Sequence, residues 1–287
     1  MRFLRFKDGE RLGLAVATAH GGFAGWLEDD AGYPGDLTAG LLASSSLKDL
    51  AGRLCEGRPV DPDKVQRLPP LAKAGKIICV GLNYLDHAAE SGHKVPEYPT
   101  IFSRFETSLI GDGAPLLKPH CSDQFDYEGE LVAVIGKRGR NISRADALQH
   151  VIAYSIFNDG SIRDYQLRTP QWTMGKNFDS TGAFGPLLVS ADELPAGARG
   201  LRIETRLNGQ VVQSANTDQM VFDVAHLVAS LSETMTLEPG DVIVTGTPSG
   251  VGMARKPQLW MKVGDICEVE IEQIGVLRNQ VKSPPAP

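Results

Sequence analysis

"FDYEGELVAVIGK", residues 125–137, sets the reading of the whole chain. Its apolar, β-branched run reads as a strand, and residues two apart on a strand share a face. Glu128 and Glu130 therefore point together, while Leu131, Ala133 and Ile135 have the opposite parity and face a core. Two carboxylates this close each favour protonation of the other. A divalent cation removes that conflict; a pair on a solvated strand face is the plain alternative. The apolar run that follows argues against a fully wet face.

A third acid, Asp159 in "IFNDGS" (156–161), stands at the end of another apolar segment. Three carboxylates with water suit hard octahedral Mg²⁺ or Mn²⁺. Structural zinc would call for several Cys or His ligands.

The chain has 287 residues, 42% hydrophobic and 22% charged, with a net charge of -6. That balance excludes a basic field for nucleic acid, so none is expected as a partner. No run of eighteen apolar residues and no signal-peptide pattern is found, so no membrane association is expected. The four cysteines, Cys55, Cys79, Cys121 and Cys267, form no CxxC and read as free thiols. A reducing compartment follows, and cytoplasm is the expected location.

Working outward, "FLRFKDGERLGLAVA" (3–17) predicts a hairpin turning at Asp8-Gly9. "SSLKDLAGRLCEG" (45–57) predicts a helix with serine at its N-cap and Gly57 at its end. A polar, proline-rich connector follows. Residues 1–70 are thus expected as a small N-terminal α+β domain, and 71–287 as the catalytic domain. In the latter, "KIICVGLNY" and "TIFSRF" read as strands, and "YLDHAAESG" as a short helix stopped by Gly92. "ADALQHVIAYSIF" (145–157) reads as a helix, and "LRIETRLNGQVVQSANT" (201–217) as a hairpin turning at Asn208-Gly209. A helix in "FDVAHLVASLSETMTLEPGD" (222–241) and a strand running into a glycine-rich loop in "VIVTGTPSGVG" (242–252) follow. "DICEVEIEQIGVLRNQV" (265–281) closes the chain as one strand. Strands outnumber helices without regular crossovers, so a mixed β, α+β class is expected rather than a doubly wound sheet.

His87 and Glu90 are three apart, so a helix puts them on one face, where the carboxylate can orient an imidazole that deprotonates water. His20, His93, His120, His150 and His226 have less to recommend them. Lys176 in "TMGKNFD" sits among apolar and aromatic residues, where its ammonium can stabilise an oxyanion. Thr247, with the amides of Gly246 and Gly250, offers a small-anion site. The loop lacks GK[ST] and GxGxxG spacing, and the chain lacks a GxSxG elbow.

"ICVGLNYLDHAAE", "DYEGELVAVIG", "FNDGSIRDYQ", "WTMGKNFD" and "VIVTGTPSGVG", in this order, resemble the fumarylacetoacetate hydrolase family over about residues 76 to 280. The resemblance implies a mixed β-sandwich roll with a small N-terminal domain, usually a homodimer, binding Mg²⁺ or alternatively Mn²⁺ or Ca²⁺. It places metal binding on Glu128, Glu130 and Asp159, catalysis on His87, Glu90 and Lys176, and substrate contact on Arg163, Gln166 and Thr247. It also implies that the dyad's helix closes as a lid over ligand. Leu82 and Arg104 depart from acylpyruvate-cleaving members, which carry arginine and lysine there; Arg104 is kept as a substrate-binding candidate. The implied reaction is Mg²⁺-dependent hydrolysis of a carbon–carbon bond in a 2,4-dioxo acid. Maleylpyruvate or fumarylpyruvate would give pyruvate and a carboxylic acid, as in aromatic compound catabolism. The alternative is a metal-dependent decarboxylase or isomerase of a keto dicarboxylic acid such as oxaloacetate.

Overall fold

The computed structural model describes residues 1–38, 46–90 and 96–285. Strands β1 (Arg2–Asp8), β2 (Arg11–Ala17) and β3 (Phe23–Leu27) form a meander. Its first turn is at Gly9, whose φ of 60° suits glycine. Helix α1 (Leu47–Cys55) starts at Ser46, whose hydroxyl accepts the Asp49 N–H as expected of an N-cap. Its buried stripe is Leu47, Leu50, Ala51 and Leu54. Strand β4 (Arg58–Val60) pairs with β3.

Next come β5 (Ile77–Gly81), the six-residue helix α2 (Leu85–Glu90) and β6 (Thr100–Ser103). The proposed stop at Gly92, and His93, lie outside the described residues. Strand β7 (Gly129–Ile135) is buried along its whole length and pairs antiparallel with β8 (Val151–Asp159). The expected helix through 145–157 is therefore a correction: only Ala147–His150 turns, as a short 3₁₀ helix, and the rest is β8. A strand buried on both faces shows a continuous apolar run, which periodicity cannot separate from a buried helix.

Two single-turn helices, α3 (Arg163–Gln166) and α4 (Thr173–Lys176), precede β9 (Gly182–Ser190). Then β10 (Arg202–Leu207) and β11 (Gln210–Asn216) form the predicted hairpin with Asn208 and Gly209 both at positive φ. Helix α5 (Val224–Thr234) begins on the Asp223 cap and leads to β12 (Val242–Val244). The closing segment, expected as one strand, is a hairpin of β13 (Ile266–Ile271) and β14 (Gly275–Lys282). Gln273, at φ 64°, and Gly275 make the turn between them.

The larger sheet runs β4-β3-β2-β1-β9-β8-β7-β12-β5-β6, with Gln66–Arg67 and Leu109–Ile110 added at β1 and β9. The N-terminal strands thus continue the sheet that carries the glutamates, joined where β1 pairs with β9. The second sheet contains β11-β10-β13-β14 and a short strand at Leu116–Leu117.

The two sheets pack face to face. Leu131, Ala133 and Ile135 share a core with Ile203, Val269 and Leu277 of the second sheet. Val132 and Val134, of opposite parity, pack in another with Leu50 and Leu54 of α1. Gly129 lets the sheets approach closely: a Cβ there would stand 2.3 Å from Thr205 Oγ1. The mixed β class holds, with helices filling the ends and one outer face.

Candidate metal centre and proton-transfer site

Pairing of β7 with β8 sets Gly129 opposite Asn158, so the two strand ends carrying the acids lie side by side. The Asp159 N–H donates to Glu128 O at 2.8 Å, and the Glu128 N–H donates to Asn158 Oδ1 at 3.0 Å. Glu128, Glu130 and Asp159 each bring a carboxylate oxygen within 4.8 Å of the others. All three are buried. The tri-acidic cluster suits a divalent metal, as hard oxygen ligands at this spacing can share one ion.

Lys176, at the end of α4, is 1% exposed. Its Nζ donates to Glu128 Oε2 and to Asp159 Oδ2, both at 2.6 Å. The Phe102 ring centroid lies 5.0 Å from the ammonium. Arg163, opening α3, pairs with Asp126 through Nε at 2.8 Å and with Glu128 Oε1 at 2.6 Å. Its Nη1 donates to Gln166 Oε1 at 2.9 Å.

Arg104 stands apart from the expectation that it contacts substrate. It is not among the residues lining the cleft. Its guanidinium donates instead to Asp159, the Gly160 carbonyl, Ser108 and Thr181. With its nitrogens so engaged, it holds the third acid in place.

The electrostatics show why the cluster favours added positive charge. Four carboxylates (Asp126, Glu128, Glu130, Asp159) meet three cations (Arg104, Arg163, Lys176). Burial, with Asp159 and Glu128 beside it, pushes the Glu130 carboxyl well above the usual range. Burial also opposes ionisation of Glu128, yet Arg163 and Lys176 outweigh it and hold that carboxyl low. For Lys176, burial lowers the ammonium's pKa, but Asp159 and Glu128 overcome this and raise it. One acid is left without a cation of its own, the deficit that a divalent ion would fill.

Helix α2 places His87 at the same cleft. His87 Nδ1 lies 2.8 Å from Glu90 Oε1, as the spacing predicts. Glu90 is itself held by the Gly250 N–H, at 3.0 and 2.9 Å from its two oxygens. Thr247 also lines the cleft; its hydroxyl donates to Gly129 O and accepts from Gln213 Nε2. The opposite wall is apolar, built by Val80, Leu82, Phe102 and Trp172 around a cavity of about 50 Å³. Leu82 adopts φ 57°, the left-handed region that costs a branched residue conformational energy and marks many functional sites.

His87, Glu128, Glu130, Arg163, Gln166, Lys176 and Thr247 thus line one cavity, with Glu90 behind the imidazole and Asp159 beneath the ammonium. Sequence reading missed Asp126. It is fully buried and accepts the Gly252 N–H at 2.7 Å, the Met253 N–H at 3.0 Å and the Arg163 Nε–H. Its parity with Glu128 and Glu130 was a usable signal. Arg255, which holds the Gly250 carbonyl from outside the cleft, had none.

Residues 76–282 match the family described as fumarylacetoacetate (FAA) hydrolase C-terminal. The chain belongs to this family. It is 41% identical over 289 residues to human mitochondrial oxaloacetate tautomerase FAHD2A, covering 98% of this chain and 91% of that one. The structure of a fumarylacetoacetate hydrolase from psychrophilic Exiguobacterium antarcticum superposes with a TM-score of 0.81 at 35% identity, over 99% of this chain and 100% of that one. A 5-carboxymethyl-2-hydroxymuconate delta-isomerase from Mycobacterium smegmatis gives 0.77 at 31%, with 99% and 100% covered. The expected cytoplasmic location is corrected by these relatives: the tautomerases from human, rat, frog and cattle are named mitochondrial. Free thiols fit any reducing compartment and never separated the two. Among the described residues no helix is long and apolar enough to cross a membrane.

Proposed function

We propose that this enzyme catalyses the metal-dependent keto–enol tautomerisation of a short 2-oxo dicarboxylic acid of the oxaloacetate type. The observation carrying this choice is the 41% identity, along 98% of the chain, to a relative named oxaloacetate tautomerase. The small cavity, lined by charged groups as well as Val80, Leu82, Phe102 and Trp172, supports it, because a four-carbon acid needs no long acyl channel. Carbon–carbon hydrolysis of an acylpyruvate takes second place, favoured by the likeness to the Exiguobacterium hydrolase.

Mg²⁺, or Mn²⁺ or Ca²⁺ in its stead, held by Glu128, Glu130 and Asp159, would supply Lewis-acid charge to the 1-carboxylate and 2-oxo oxygens. The protein's own residues then move one proton. His87, with Nδ1 committed to Glu90, takes the C3 proton at Nε2, and Glu90 stabilises the imidazolium formed. Lys176 faces the charge that grows on the 2-oxygen. The imidazolium returns its proton to that oxygen, so the imidazole is regenerated and no water is consumed. Arg163 and Gln166, linked at the cavity edge, receive the second carboxylate, with Thr247 at the other side. In the hydrolytic reading the same imidazole would activate water instead. A homodimer is proposed as the working assembly, to be checked by light scattering.

With Mg²⁺ present, the protein should speed the decay of enol-oxaloacetate absorbance and introduce solvent deuterium at C3, with no pyruvate formed. His87→Ala should lose on the order of a hundredfold or more in this rate. Pyruvate released from oxaloacetate would instead establish decarboxylation. Cleavage of 2,4-dioxo acids with no effect on enol decay would establish the hydrolase.

A further inference from the structure

The turn from Gly246 to Met253 reaches three of the buried or cleft-side carboxylates through its backbone amides. Its amides reach Glu130 from Gly246, Glu90 from Gly250, and Asp126 from Gly252 and Met253. At its centre Gly250 has φ +103°, and a Cβ there would lie 2.2 Å from the Val212 carbonyl. The geometry is open only to glycine, and something must hold it in place.

That group is Arg255, which is absent from the cleft lining. Its Nε donates to Gly250 O at 3.1 Å and to Tyr127 Oη at 3.1 Å, while Nη2 donates to Val212 O. Tyr127 Oη donates to the same Gly250 carbonyl at 3.1 Å. The planar guanidinium thus ties three acceptors from separate segments, which a lysine's single ammonium cannot reproduce. On the other side of Gly250, the N–H meets both oxygens of Glu90. Glu90 ends a helix of six residues, too short to be stable by itself. Where the helix sits therefore depends on its anchor.

We infer that Arg255 is a positioning residue for the His87–Glu90 dyad. It fixes the Gly250 turn so that the amide receives Glu90, and Glu90 in turn sets the His87 ring over the cleft. This rests on the reading that His87 transfers the proton.

The test uses Arg255→Met, Arg255→Lys, Glu90→Ala and the Arg255→Met/Glu90→Ala double variant, each with its Tm recorded. Three measurements are made: enol-oxaloacetate turnover with Mg²⁺, amide hydrogen exchange in residues 85–90, and binding of Mn²⁺ alone. Arg255→Met should lower kcat about tenfold to a hundredfold with KM nearly constant, since small misplacements of a reacting group have effects of this size. Exchange in the helix should rise, Mn²⁺ affinity should hold, and Arg255→Lys should recover only part of the rate. On the Glu90→Ala background Arg255→Met should add about twofold or less, because both changes break one chain of contacts. Effects that multiply in the double variant, lost Mn²⁺ binding, or unchanged helix exchange in Arg255→Met would each overturn the inference. If Glu90→Ala leaves turnover intact, the proton-transfer reading falls, whereas raised exchange in Arg255→Met still supports the mechanical link.

Discussion

Replacing Lys176 by methionine removes the ammonium that bridges Glu128 and Asp159 while keeping most of the side-chain volume. Both contacts are 2.6 Å, and all three groups are buried. Removing one partner of a buried ion pair strands the other charges and costs about 3–5 kcal/mol. In a domain of this size each kcal/mol lowers Tm by roughly 2–4 °C, so the chelated variant should melt about 10 °C below the parent. Added Mg²⁺ should act in the opposite sense. In the parent an ion held by Glu128 and Asp159 would have to displace the ammonium that bridges them; in the variant it would not. The Mg²⁺-dependent rise in Tm should therefore be larger in Lys176→Met, and free metal at a hundred times its Kd contributes about 2.7 kcal/mol. Thermal melts of both proteins in chelator and in excess Mg²⁺ measure this. Equal melting temperatures in chelator, or a smaller Mg²⁺ increment in the variant, would refute the charge reasoning.

Glu130 has a raised pKa, so its favourable contribution is present below the usual carboxylate value and is lost as pH rises through the raised one. Glu130→Gln in chelator should accordingly be at least as stable as the parent at pH 8, lose that advantage toward pH 4, and show no Mg²⁺ stabilisation in melts. Glu128 has a depressed pKa, so its contribution is present above the usual value and fades as pH falls through the folded one. Glu128→Gln should cost about 3 kcal/mol near pH 7, with the deficit narrowing in acid when followed by urea unfolding. Gly250→Ala sets a side chain at φ +103° against the Val212 carbonyl and should cost at least roughly 1–3 kcal/mol, together with most of the turnover.

How much of this was open to a reader of the sequence varies by residue. The parity of Glu128 and Glu130 was legible because side-chain alternation is a property of the backbone alone. The His87–Glu90 pair was legible for the same reason, as three residues on a helix share a face. Asp159 was found, but on the wrong element: "VIAYSIFND" (151–159) is a strand only because β7 and β9 pair with it on either side. The final hairpin hid its turn in "EQIG" (272–275), where Gln273 rather than asparagine takes the positive φ.

Arg104 shows the other kind of limit. Whether a guanidinium faces a cleft or braces a buried carboxylate depends on partners 55 and 77 positions away. Asp126 meets Gly252 across 126 residues, and Arg255 meets Tyr127 across 128. Short-range pattern, then, determined which side chains this protein could bring to one face of one element, because backbone periodicity depends only on neighbours. Strand pairing and the packing of two sheets decided which faces meet. That choice turned a pair of repelling glutamates into a buried site with three cations, two further acids and a histidine held from outside the cleft.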